Sequence, residues 1–137
     1  MIGFVLDASF AASWFLPDEA SPATNALLDQ VAEAAVPSLF RHEMRNLTLL
    51  AHRRGRMSRA KFREVIAELG AAPIRDCGPG DDDDIVDLAL KHDLTAYDAA
   101  YLELALRKRF PLATLDRKLA AAARAEHIPV LGPLGAS

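Results

Sequence analysis

Ile2-Gly-Phe-Val-Leu6, followed at once by Asp7-Ala-Ser9, decides how the rest of the chain is read. The apolar run has the length of a buried strand. Asp7 or Ser9 can cap a helix from Ala8 to about Leu16, which Pro17 stops. Working outward, Ser21-Pro22 opens a helix to about Glu33, and Ala35-Val36 is a minimal strand. Pro37-Ser38 opens a long helix to about Arg54, stopped by Gly55, and Ser58 caps another ending near Gly70. Ile74-Arg75 reads as a short strand and Cys77-Gly-Pro-Gly80 as a turn. Helices are predicted over Asp84–His92, Thr95–Arg109 and Arg117–Glu126, with strands at Leu112–Leu115 and Pro129–Leu131. Strands and helices alternate, and no Asn-Gly or Asp-Gly hairpin turn occurs. The expectation is an α/β three-layer sandwich, a central parallel sheet flanked by helices on both faces. One domain over residues 1–131 and a loose tail, Gly132–Ser137, are expected.

Composition narrows the class. With 137 residues and 51% hydrophobic content the chain can bury a core, which excludes a disordered protein. No apolar run approaches the roughly 20 residues needed to span a membrane. The Ile2–Leu6 run has no basic lead and is not read as a signal peptide. The single Cys77 cannot form an internal disulfide, which fits a reducing cytoplasm. The net charge of -3 hides an asymmetry. Residues 41–63 hold eight Lys/Arg and one acid, a net +7, whereas residues 1–40 hold five acids and no Lys or Arg. Such a stripe is either a polyanion footprint or a pair of solvated helix faces.

Four acids stand out by position. Asp7 and Asp116 each directly follow a predicted strand, where parallel α/β sheets place ligands. Each could equally be a helix cap. Glu43 falls on or beside the apolar stripe Leu39, Phe40, Leu47, Leu50, with Asn46 on the same side. Asp98 shares a face with Tyr101, Leu102 and Ala105, although Thr95-Ala-Tyr-Asp98 is also similar to a capping box. Carboxylates gathered without Lys or Arg repel one another, and a hard divalent cation removes that conflict. Oxygen-only ligands suit Mg²⁺, with Mn²⁺ as substitute. The four histidines show no zinc-binding spacing.

Read with their neighbours, these acids form an ordered set: Val5-Leu-Asp7-Ala-Ser9, Pro37 followed by Glu43-x-x-Asn46, Leu94-Thr-Ala-Tyr-Asp98-Ala-Ala-Tyr-Leu102, and Ala113-Thr-Leu-Asp116-Arg-Lys-Leu119. The set resembles a PIN domain, and specifically a VapC-type toxin of a type II toxin–antitoxin pair, over essentially the whole chain. The resemblance implies a PIN-like, Rossmann-like fold. It implies a metal-binding and catalytic acidic cluster of Asp7, Glu43, Asp98 and Asp116, supported by Ser9, Asn46 and Thr114. It further implies Mg²⁺-dependent endoribonuclease activity, a homodimer, and neutralisation by a cognate VapB-type antitoxin lying across the active site. Two departures from the pattern are Arg117 directly after Asp116, where a further acid often stands nearby, and Arg45 within the Glu43 helix.

The expected chemistry is metal-assisted hydrolysis of an RNA phosphodiester, leaving a 5′ phosphate and a 3′ hydroxyl. Asp7 and Asp116 are the expected chief ligands, and Glu43 or Asp98 is expected to take a proton from water. The basic segment Arg53–Arg63 is a candidate track for RNA phosphates, with Arg53, Arg54 and Arg56 the first residues to test. The Asp81–Asp84 run is read as the acidic start of a helix. Trp14, Phe15 and Leu16 are read as core or as part of the antitoxin surface. A haloacid-dehalogenase-like phosphatase is disfavoured because Ser9 stands where its second Asp is needed. A phosphate-receiver domain is disfavoured because Asp7 stands alone. The alternative kept open is a non-catalytic PIN scaffold that binds RNA or a protein.

Overall fold

The computed structural model describes residues 3–16, 22, 24 and 33–135. Five strands form one parallel sheet: β1 (Gly3–Leu6), β2 (Glu33–Val36), β3 (Ile74–Asp76), β4 (Leu112–Ala113) and β5 (Val130–Leu131), in the order β3-β2-β1-β4-β5. The helices among the described residues are α1 (Ala8–Phe15), α2 (Phe40–Arg53), α3 (Arg59–Ala71), α4 (Asp82–His92), α5 (Ala96–Lys108) and α6 (Arg117–Ala125). The strand order reverses its direction of growth at β1, so the crevice between the ends of β1 and β4 is the topological switch point. Leu6 pairs with Ala113 there, and the Asp7 amide donates to the Ala113 carbonyl at 3.1 Å. Asp7 and Thr114 therefore leave the sheet side by side.

The core follows from this layering. Phe4, Val5, Leu6, Ala35, Val36 and Leu112 are buried in the sheet, covered by Phe10, Met44, Leu102, Leu104 and Leu119 from the helices. Fully burying side chains of this kind contributes roughly 1.5–3 kcal/mol each. Gly3 lets the Phe110 ring lie against β1: a Cβ there would stand 2.5 Å from the ring, which would have to move. Leu16, which precedes Pro17, is extended, the conformation preferred before proline.

Several predicted boundaries move. The strand expected over Leu112–Leu115 ends at Ala113, because the Leu115 and Asp116 amides donate to the hydroxyls of Ser9 and Thr114 instead of to a neighbouring strand. The long helix begins at Phe40, after a turn closed by the Phe40 amide on the Pro37 carbonyl at 3.0 Å. Glu33, expected to end a helix, is the first residue of β2. Of the rest of that expected helix, positions 22 and 24 are helical and the others lie outside the described residues. Pro133–Gly135, expected to be loose, form one 3₁₀ turn whose Leu134 carbonyl accepts from Arg124 on α6. No helix among the described residues is long and apolar enough to cross a membrane.

Candidate active site

The cleft at the switch point has a volume of about 440 Å³ and is lined by Asp7, Glu43, Asp98 and Asp116 together with Ser9 and Asn46. Two local devices deliver the acids, two residues each. Asp7 is the N-cap of α1, and its Oδ1 accepts from the Phe10 amide at 2.9 Å. Asp116 is the N-cap of α6, accepting from the Leu119 amide at 2.9 Å. Glu43 lies in the first turn of α2, and Asp98 in the first turn of α5. Thr95 Oγ1 caps α5 by accepting from the Asp98 amide at 3.1 Å. The capping reading and the site reading of these acids thus hold together.

Two hydroxyls tie β1 to β4. Ser9 Oγ donates to Asp7 Oδ1 at 2.8 Å and accepts from the Leu115 amide at 3.0 Å. Thr114 Oγ1 donates to Asp7 Oδ2 and accepts from the Asp116 amide at 3.0 Å. Thr114 is fully buried and stands behind Asp7 without lining the cleft. A carboxylate offers about four lone-pair positions, so three donors leave Asp7 free to take one more contact.

Tyr101 is the site residue that the sequence reading did not single out. It is buried, three residues after Asp98 on α5, and its hydroxyl donates to Glu43 Oε1 at 2.6 Å. Its spacing from Asp98 was visible, but its partner 58 positions away in sequence was not.

The electrostatics are those of crowded carboxylates. Burial pushes the Asp7 carboxyl up to about 6 from 3.8, against the hydrogen bonds from Thr114, Phe10 and Ser9, and Asp98 adds repulsion. Burial also raises Glu43, offset in part by Tyr101 and reinforced by Asp98. Asp98 is raised by burial and then by Asp116, with Thr95 and Lys118 opposing. Tyr101 is raised by burial and by the Glu43 carboxylate, which keeps it a neutral donor. No Lys or Arg lines the cleft. Lys118, the cation acting on Asp98, is paired with Asp93 at 3.1 Å.

Among the described residues, no three His, Cys, Asp or Glu side chains close tightly enough to hold an ion between them. The acids line a cleft without meeting at a point. That donor set still fits a hard cation which keeps several of its waters and binds through one or two carboxylates and substrate phosphates, the habit of Mg²⁺. A zinc-type cage does not fit, since the cleft offers neither His nor Cys.

Other expected positions fall elsewhere. Arg53, Arg54 and Arg56 are exposed at the far end of α2 and in the turn after it, outside the residues that line the cleft. Arg53 is ten residues beyond Glu43, about 15 Å along the helix. Trp14 packs edge-on against Phe10 and Phe4 and donates to the Thr24 carbonyl at 2.9 Å, while Leu16 is buried. Trp14 and Phe15 are thus half-buried against the core, and Leu16 belongs to it. Asp81 caps α4 by accepting from the Asp84 amide at 3.0 Å, in keeping with a helix start.

A five-stranded parallel sheet in this order, with acids gathered at its switch point, defines a class, and the chain belongs to it: the PIN domain family, whose sequence model matches residues 4–125. Within that class the chain is 33% identical over 120 residues to Ribonuclease VapC3 of Pyrobaculum aerophilum, covering 85% of this chain and 91% of that protein. A second Pyrobaculum aerophilum protein, PAE2754, shares the fold with a TM-score of 0.70 at 22% identity, over 88% of this chain and 79% of that one. A toxin–antitoxin complex from Klebsiella pneumoniae contains a chain with a TM-score of 0.59 at 16% identity, over 86% of this chain and 90% of that one.

Proposed function

We propose that the cleft is the active site of a Mg²⁺-dependent endoribonuclease, with Mn²⁺ as a substitute, and that the protein is the toxin of a toxin–antitoxin pair. The observation carrying this reading is the convergence of four carboxylates on one cleft without a lining cation. The 33% identity to Ribonuclease VapC3 supports RNA as substrate. The likeness to a chain of the Klebsiella toxin–antitoxin complex favours a VapB-type antitoxin as partner. A homodimer would have Val86, Leu90 and Tyr97 to cover, the large apolar side chains most exposed among the described residues.

Asp7 and Asp116 are the residues suited to hold the ion, because Ser9 and Thr114 fix them to each other through the ends of β1 and β4. When bound, the ion would neutralise the mutual repulsion of the acids, polarise the scissile phosphate and make water a stronger nucleophile. Tyr101 aims Glu43 by occupying one of its oxygens. Glu43 and Asp98, both held above the ordinary carboxylate range, are the groups suited to accept the proton of the attacking water. Water attack leaves a 5′ phosphate and a 3′ hydroxyl.

RNA cleavage in Mg²⁺ against EDTA tests the proposal, with Asp7→Asn and Asp98→Asn as controls. Cleavage is expected in Mg²⁺ only, reduced by on the order of 10²–10⁴-fold in each variant. A 2′,3′-cyclic phosphate product, or cleavage that survives both substitutions, would sink the mechanism. Metal-independent RNA binding without cleavage would favour the scaffold reading.

A further inference from the structure

The net +7 segment contains more arginine than the Arg53–Arg56 turn, and its remaining arginines are not scattered. On α2, Arg45, Asn46 and Leu49 recur at helical spacing, and on α3, Arg59, Phe62 and Arg63 do the same. These two stripes face one another across the α2–α3 hairpin and line a groove. Asn46 lines both this groove and the acidic cleft, so the two adjoin at that residue. Leu49 and Phe62 line the groove along its length, with Arg45 at the cleft end and Arg59 and Arg63 farther away.

The chemistry of this lining is specific. Among the described residues, Arg59 and Arg63 make no ion pair, while their neighbour Lys61 is paired with Glu64 at 3.5 Å. The Arg45 guanidinium meets His42 Nδ1 at 3.5 Å and no acid. Phe62 is half-buried against the cluster of Met57 and Val65, with the His52 ring 5.8 Å away at 66°. Unpaired guanidinium groups along a groove with an aromatic side chain between them are what a single-stranded nucleic acid requires: charge for its phosphates and a face for a base. An apolar polypeptide helix would use Leu49 and Phe62 but would leave the arginines unsatisfied.

We propose that this groove binds the single-stranded RNA flanking the scissile phosphate, with Arg45, Arg59 and Arg63 on successive phosphates and Phe62 under a base. Asn46 is then the hand-over point into the acidic cleft. The proposal rests on the ribonuclease reading of that cleft. Within the basic segment it shifts the substrate contacts from Arg53, Arg54 and Arg56 to the arginines that line the groove adjoining the site.

The test uses the full chain with Asp7→Asn, so that RNA stays intact in Mg²⁺. A fluorescein-labelled single-stranded RNA of mixed sequence, about a dozen nucleotides long, is titrated by anisotropy across a salt series. Replacing Arg45, Arg59 and Arg63 by Gln is expected to weaken binding and to flatten the log–log salt slope by about 2, roughly 0.7 per phosphate contact. Phe62→Leu is expected to weaken binding roughly 5- to 150-fold with the slope unchanged. Replacing Arg53, Arg54 and Arg56 by Gln is expected to change the slope much less. The idea is overturned if the groove variants bind as their parent does, or if the Arg53–Arg56 set carries the larger effect. It is equally overturned if the groove variants lose an amphipathic protein partner while keeping RNA. Cleavage of the same RNA by the wild type in Mg²⁺ reports on the ribonuclease reading separately. Metal-dependent cleavage with unaltered groove variants rejects the groove alone.

Discussion

Asp7 is a carboxylate placed against its own interest. Burial pushes its carboxyl up to about 6, against 3.8 as the ordinary value. The native state therefore holds a proton that the unfolded chain releases, and stability is lost as pH rises through that window. The full effect at neutral pH is roughly 3 kcal/mol on the scale of 1.36 kcal/mol per pKa unit. Asp7→Asn keeps acceptors for Ser9 and the Phe10 amide and removes the charge. Urea denaturation in EDTA is expected to show the variant more stable than wild type at pH 7, with the difference shrinking toward pH 4. An equal pH dependence in both proteins would contradict the assignment. Tyr101→Phe removes the donor on Glu43, and a lower affinity for Mn²⁺ with an unchanged fold by circular dichroism is expected. An unchanged affinity would show that Tyr101 only fills the core.

At the scale of elements, the connection between β4 and α6 matters most. Four bonds through the Ser9 and Thr114 hydroxyls replace strand pairing there, which is why β4 is two residues shorter than its apolar pattern suggested. Periodicity places helices well where one face is apolar, as in α2 and α6, while α5 is buried on all sides from Ala99 to Ala105. It places strand ends poorly, because ladder bonds and side-chain bonds to the same amides look alike in sequence. The four acids were legible through their neighbours and through the unfavourable placement of Glu43 and Asp98. Tyr101 was not, since its significance depends on pairing α5 with α2; the groove arginines were legible as part of a basic segment, but their meeting across α2 and α3 was not. Arg109 ends α5 at φ 56, a left-handed conformation that arginine rarely adopts, and its side chain is exposed. Arg109→Gly is expected to raise stability by about 1 kcal/mol in urea denaturation, since glycine carries no Cβ penalty there.

For the molecule as a whole, charge is partitioned in space. Acids gather where strands β1 and β4 end, and Arg45, Arg59 and Arg63, which make no ion pair among the described residues, line the groove of the helical hairpin beside them. An RNA strand would be attracted along the hairpin and repelled at the cleft unless a cation stands between its phosphate and the carboxylates. Metal loading and RNA entry should therefore be coupled, and thermal stability should rise when Mg²⁺ is added, by an amount set by mass action. The most direct test is calorimetric titration of Mn²⁺ into wild type, Asp7→Asn and Asp116→Asn at pH 7. Saturable binding by wild type, lost or strongly weakened in both variants, is expected. Binding of equal strength in all three proteins would contradict it.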